Sequence, residues 1–192
     1  MEFILSLLIG ISLSATSGFR IFVPLLILSL AALAGWVELS PTFAWIGTYP
    51  ALVALLIATL LELVSYFFPY VDNLLGIVAV PISIIAGTLI TASLMVDLHP
   101  MLTWALAIIA GGGAALGGSA LSNTVHAGST VTTAGMANPV VSFVESIFTL
   151  FISILAVLLP VLAFILLGLI AFLVVKAFRR IKKPGIQSRA HS

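Results

Sequence analysis

From Ile21 to Val175 the chain contains no lysine and no arginine. Only five acids interrupt a run of Leu, Ile, Val, Ala, Phe and small residues over that stretch. Few folds tolerate such a shortage of charge. Soluble domains carry about 25% charged residues, whereas here the figure is 7%, with 62% hydrophobic residues. Too few polar side chains remain to cover a water-facing surface. The sequence therefore predicts an all-α, polytopic membrane helix bundle.

A span of the hydrocarbon core needs roughly 20 apolar residues. By that measure there are six segments: Phe3 to Ala34, Ala51 to Phe68, Leu74 to Val96, Met101 to Gly118, Val140 to Leu159 and Val161 to Phe178. The first is too long for one straight span and carries "TSG" in its middle, so it is a broken helix or a re-entrant hairpin turning near Gly18. Trp36, Trp45 and Tyr49 follow as interfacial aromatics. Pro69, Asp72 and Asn73 read as a turn, and "DLHP" closes the third segment. The tract from Ser119 to Asn138 is too polar to face lipid, yet has no charge to suit a solvent loop. It is expected to be irregular backbone lining a cavity or buried in protein. Asn138-Pro139 then caps and starts the fifth helix.

One transmembrane helical domain over residues 1–180, with a basic cytoplasmic tail at 181–192, accounts for the chain. Residues 1–98 and 99–180 share an outline: an irregular start, a proline (Pro50, Pro139), an embedded acid (Glu62, Glu145) and a closing apolar helix. Three segments in each half would make an inverted repeat of the transporter kind. Glu62 and Glu145 do not stand at equal distances from their prolines, so the likeness is one of pattern.

The positive charges indicate orientation. Six of the seven basic residues lie between Lys176 and Arg189, which marks the C-terminus as cytoplasmic. Six crossings would put the N-terminus on the same side; a re-entrant first segment would reverse that. Glu2 in "MEFILSLL" has the wrong sign for a signal-peptide n-region, so the first segment is expected to stay in the mature protein. The absence of cysteine rules out disulfides, thiolate metal sites and cysteine nucleophiles.

Arg20 is the seventh basic residue, and it lies inside the first apolar segment. It shares a helical face with Ser12 and Thr16. A charge at the bilayer centre costs about 2.5–3.5 kcal/mol, so it requires partners. Glu62 and Glu145 are the acids well inside helices; Glu38, Asp72 and Asp97 stand at predicted ends. Thr59, Glu62 and Tyr66 share one face, and Ser142, Glu145, Ser146, Thr149 and Ser153 form a polar stripe. His126 in the polar tract is either a backbone-bonded loop histidine or a proton-linked group. The glycines of "AGGGAALGGSA" lack the GK[ST] of a phosphate loop and read as close-packing positions.

"SGFRIFVPLL" and "GMANPVVSFVES" resemble a bacterial integral membrane family catalogued as domain of unknown function 4126. The marks are Gly18, Phe19, Arg20 and Pro24, and Asn138, Pro139 and Glu145. The resemblance covers most of the chain. It implies membrane residence, draws attention to Arg20 and Glu145, and carries no activity.

The expected function is a small transporter or channel for a small solute or ion. Its substrate-binding residues would be Arg20, Glu62, Glu145, His126, Thr16, Ser142 and Asn138. A lipid-phosphate-binding or lipid-translocating protein is the alternative, and a purely structural membrane protein is a third reading. No enzyme, metal site or cofactor is expected: there is no Ser-His-Asp order and no metal-ligand spacing. Expected partners are membrane lipids and a solute, ion or lipid headgroup. Nucleic acid is not expected, and homo-oligomers are compatible with the chain.

Overall fold

The computed structural model describes residues 2–65, 69–96, 98–133 and 136–181, excluding the side chains of 69–77 and 177–181. Among the described residues every regular element is helical. The order is α1 (Glu2–Ser17), α2 (Phe22–Leu33), a 3-10 segment (Pro41–Gly47), α3 (Tyr49–Ser65), α4 (Pro69–Ser93), α5 (Pro100–Leu106), a π-turn (Ala107–Gly112), α6 (Gly113–Thr133), α7 (Asn138–Leu158) and α8 (Pro160–Ile181). Two helical stretches, Pro100–Thr133 and Asn138–Leu158, are long and apolar enough to cross a membrane. Pro41–Gly47 with Tyr49–Ser65, bent by 64°, makes a third if taken as one span.

The break in the first segment has local causes. Thr16 and Ser17 turn their hydroxyls back onto the carbonyls of Leu13 (2.8 Å) and Ser14 (2.7 Å), which competes with helix propagation. Gly18 follows, pressed against the backbone of Ala115, Gly118 and Ser119. A new helix starts at Phe22, with Pro24 in its first turn, where its missing N–H is harmless. The chain then returns to the end from which it came. Glu2, Phe3 and Leu5 of α1 and Trp36, Val37 and Glu38 beyond α2 line one cavity of about 640 Å³, with Leu158 and Pro160. The first segment is thus a hairpin with Gly18 to Ile21 at its tip.

Small and hydroxyl residues fix the register of the other helices on α1. Ser14 donates to the Gly87 carbonyl (2.6 Å) and meets Thr91 (3.0 Å), while Ser17 reaches the Ser83 carbonyl (3.3 Å), so α4 runs antiparallel to α1. Ser83 bonds Ser119 on α6 (2.7 Å). Thr16 meets Ser153 (3.1 Å) and Leu158 lines the cavity at the Glu2 end, so α7 runs antiparallel as well. The apolar core runs beside these contacts through Ile9, Leu13, Leu28, Phe43, Ile90 and Leu94. Since α8 begins beside Glu2 and its Val174 stands with Leu121 and Val125, it runs parallel to α1. The first and last helices therefore begin and finish at opposite ends of the bundle.

Several expectations are corrected. The tract from Ser119 is regular helix to Thr133, with Thr124 bonded to the Ala120 carbonyl (2.7 Å) and Thr130 to the His126 carbonyl (2.9 Å) one turn back, while Ser119 and Ser122 bond to neighbouring helices. The irregularity of that segment is the π-turn, where Gly111 and Gly112 let α4 approach. The expected turn at Pro69, Asp72 and Asn73 is the start of α4. Ala137, not Asn138, occupies the N-cap of α7. The expected roles of Tyr66 and Asp97 and the tail from residue 182 lie outside the described residues.

Close backbone approach supplies a direct test. A Cβ at Gly118 would collide with the Ala15 carbonyl, whereas one at Gly117 would meet nothing within 4 Å. Gly118→Ala is expected to destabilise the protein by about 1–3 kcal/mol. Gly117→Ala is expected to be neutral or to stabilise by up to about 1 kcal/mol through helix propensity. Unfolding in detergent micelles checks both.

Candidate functional site

Arg20 leaves the hairpin tip with its side chain 1% exposed, among the largest fully buried side chains of the protein. Its Nε donates to Ser146 Oγ (2.8 Å) and one terminal nitrogen to the Ser142 carbonyl (2.5 Å). Glu145 Oε2 lies 3.8 Å from that same nitrogen, an ion-pair distance. α7 supplies all three groups because residues 142, 145, 146, 149 and 153 fall on one face. Phe19 packs edge-on against Phe148 beside them, with ring centroids 5.5 Å apart.

Glu145 connects α7 to α6. Ser122 donates to Oε1 (2.9 Å), and His126 Nε2 stands 3.1 Å from Oε2. Ser122 and His126 share a face one turn apart. A hydrogen bond at 3.1 Å between a carboxylate oxygen and an imidazole nitrogen requires a proton on one of the two. That proton has an acceptor on either side. His126 is 24% exposed and Glu145 8%, so the pair joins the buried charges to the edge of the bundle. Among the described residues no three His, Asp or Glu side chains converge as metal ligands.

Glu62 feels the Arg20 charge and has a second task as well. Its oxygens accept the backbone N–H groups of Ile21 (2.7 Å) and Phe22 (3.0 Å), the residues directly after Arg20. These are amide donors at the start of α2 with no partner inside that helix, and negative charge is favoured there. Glu62 thus fastens the hairpin tip to α3. Glu62→Ala is expected to cost about 1–3 kcal/mol through unsatisfied buried donors, read as a lower unfolding midpoint in detergent.

The remaining expected site residues separate. Ser142 contributes its carbonyl to Arg20. Thr16 lies a turn before Arg20 and bonds Ser153. Asn138 bonds Thr130 (3.1 Å) and joins none of the three charges. Ser12 Oγ and Thr149 Oγ1 are fully buried on the same polar faces without a hydrogen-bond partner. Ser122 and Ser146 belong to the cluster but were not among the expected binding residues. Their signal was the 119, 122, 126 spacing on α6 and the α7 stripe.

The family model described as domain of unknown function (DUF4126) matches residues 7–180. The chain belongs to that family. No curated protein and no solved structure matches it. The DUF4126 match contains the hairpin and every residue of the cluster, so the Arg20–Glu145–His126 arrangement lies within the family's domain.

Proposed function

We propose that this DUF4126 protein is a small membrane transport protein whose proton- or ion-binding group is Glu145. The observation that carries this reading is the sharing of one buried carboxylate between Arg20, Ser122 and a half-buried histidine. Intramembrane ionisable groups are costly and mark pathways and sites. A carboxylate and an imidazole in contact pass a proton without moving the backbone. The path away from His126 follows Ser146, Thr149, Ser153, Thr16 and Ser12 toward the end cavity carrying Glu2 and Glu38. Buried hydroxyls that lack partners suit a row that water or an ion enters. A proton relay needs no covalent step, so in this reading the protein is a transporter or channel rather than an enzyme.

In this reading the helices form five crossings and one re-entrant hairpin, in the bacterial inner membrane. The six-crossing inverted repeat gives way to that arrangement, because α1 and α2 return to one side while Pro100–Thr133 continues through. With the basic run cytoplasmic, the C-terminus is inside and Glu2 outside. In a protein without cysteine, a single Cys at Glu38 is expected to react with an impermeant maleimide added to intact spheroplasts, and one at Ser192 only after lysis.

The test of function is proton flux. Protein in liposomes containing a pH-sensitive dye, given a potassium diffusion potential, is expected to acidify the lumen faster than protein-free liposomes. Equal rates would overturn the proton as the transported ion.

A further inference from the structure

The second helix of the hairpin starts without a cap of its own. Ile21 stands at the N-cap of α2 and makes no side-chain bond there, and Pro24 in the first turn has no N–H to donate. The amides of Ile21 and Phe22 instead reach across to α3 and share one carboxylate. Ile21 N–H ends on Glu62 Oε1 (2.7 Å) and Phe22 N–H on Oε2 (3.0 Å), so each oxygen takes one amide. The turn before them is closed by local bonds: Gly18 donates to the Ala15 carbonyl (3.3 Å), and Phe19 and Arg20 donate to that of Thr16 (3.0 and 3.1 Å). Glu62 therefore ties the backbone of the tip to another helix. Its side chain is buried, one turn before α3 ends at Ser65. α2 and the 3-10 segment, which pack against α3, contain no titratable side chain. Among the described residues the charge that acts on Glu62 is that of Arg20.

We propose that Glu62 is a proton-operated latch: as a carboxylate it fastens the hairpin tip, and as a carboxylic acid it releases the tip and with it the backbone that holds Arg20 beside Glu145. The donors set the chemistry. Two N–H groups facing two oxygens are matched by a carboxylate, which only accepts. A proton taken from water onto Oε1 or Oε2 makes that oxygen a donor and a poorer acceptor. Two charge-assisted bonds then become neutral ones, about half as strong. The negative charge also leaves the N-terminus of α2, where it is favoured. Ile21 adjoins Arg20 in the chain, so release at Ile21 loosens the anchor of the guanidinium opposite Ser142, Ser146 and Glu145. The latch thus acts on the arginine from α3, as Glu145 does from α7. The carboxylate form prevails at higher pH, so the tip is fastened there and is released as the pH falls.

The absence of cysteine makes the test direct. Ile21→Cys, at a position 9% exposed, places the single thiol at the latch. Glu38→Cys, at an exposed position, gives the reference rate and corrects for the thiolate fraction. Full-length protein in detergent micelles is labelled with N-ethylmaleimide between about pH 8 and about pH 5, and intact mass gives the rates. The ratio of tip rate to reference rate is expected to rise about tenfold as the pH falls, the effect of weakening a buried hydrogen bond on a local opening. Added Glu62→Gln should raise the ratio about tenfold at the highest pH and abolish its pH dependence, because the amide nitrogen turns a donor toward one of the two N–H groups. Glu145→Gln with His126→Ala should leave the rise in place. A ratio independent of pH with Glu62 present overturns the proposal, whether or not the glutamine variant folds. So does a rise that disappears with Glu145→Gln and His126→Ala, since the proton would then act at that pair. No flux is read, so the transport role of Glu145 is decided separately.

Discussion

Arg20→Met is expected to destabilise the protein by about 3–5 kcal/mol, the usual consequence of removing one partner of a buried ion pair. The substitution keeps the apolar stem and removes the guanidinium. The Ser146 hydroxyl then loses its donor, the Ser142 carbonyl keeps only the Ser146 hydroxyl among its side-chain donors, and Glu145 loses the nearby positive charge. Arginine does not escape burial by losing its proton, so the native fold must supply these partners. Adding Glu145→Leu should recover most of the loss, because a buried pair exchanged for apolar residues of similar volume is often neutral or stabilising. Denaturation of the two single variants and the double variant gives the coupling energy directly. Additive losses would mean that Arg20 and Glu145 stabilise the fold independently.

Glu145→Gln is expected to slow proton uptake by liposomes on the order of a hundredfold, the scale on which a positioned proton-transfer group acts. The amide has nearly the shape of the carboxylate and still accepts from Ser122, but it carries no transferable proton at neutral pH. His126→Ala removes the exposed partner and leaves the buried one, so its expected effect is a partial loss. If flux in Glu145→Gln matched the wild type, the proton path would lie elsewhere.

Much of this arrangement was legible in the sequence. The cost of an arginine among apolar residues pointed inward, and the 142, 145, 146, 149, 153 spacing placed polar groups on one face of α7. The unusual length of Phe3 to Ala34 with "TSG" in its middle foretold the interruption. What was hidden depended on tertiary partners. Two backbone amides claim Glu62, and no side-chain pattern announces that. The composition of residues 119 to 133 resembled irregular chain because Ser, Thr and Gly disfavour isolated helices. Inside the bundle their hydroxyls bond within the helix or to neighbouring helices, and helix becomes the best solution for the backbone. Reading that tract as irregular concealed the α6 face on which Ser119, Ser122 and His126 align. The direction of the hairpin was equally unreadable, since a broken span and a re-entrant turn have the same local sequence.

The central claim is that Arg20 and Glu145 serve transport as well as structure. The Arg20→Met, Glu145→Leu double variant tests it most directly, once its unfolding midpoint is shown to match the wild type. Reconstituted beside the wild type under the same imposed potential, it is expected to give no proton uptake above protein-free liposomes. A wild-type flux that persists in the stable double variant would contradict the claim and leave the pair a purely structural fastening.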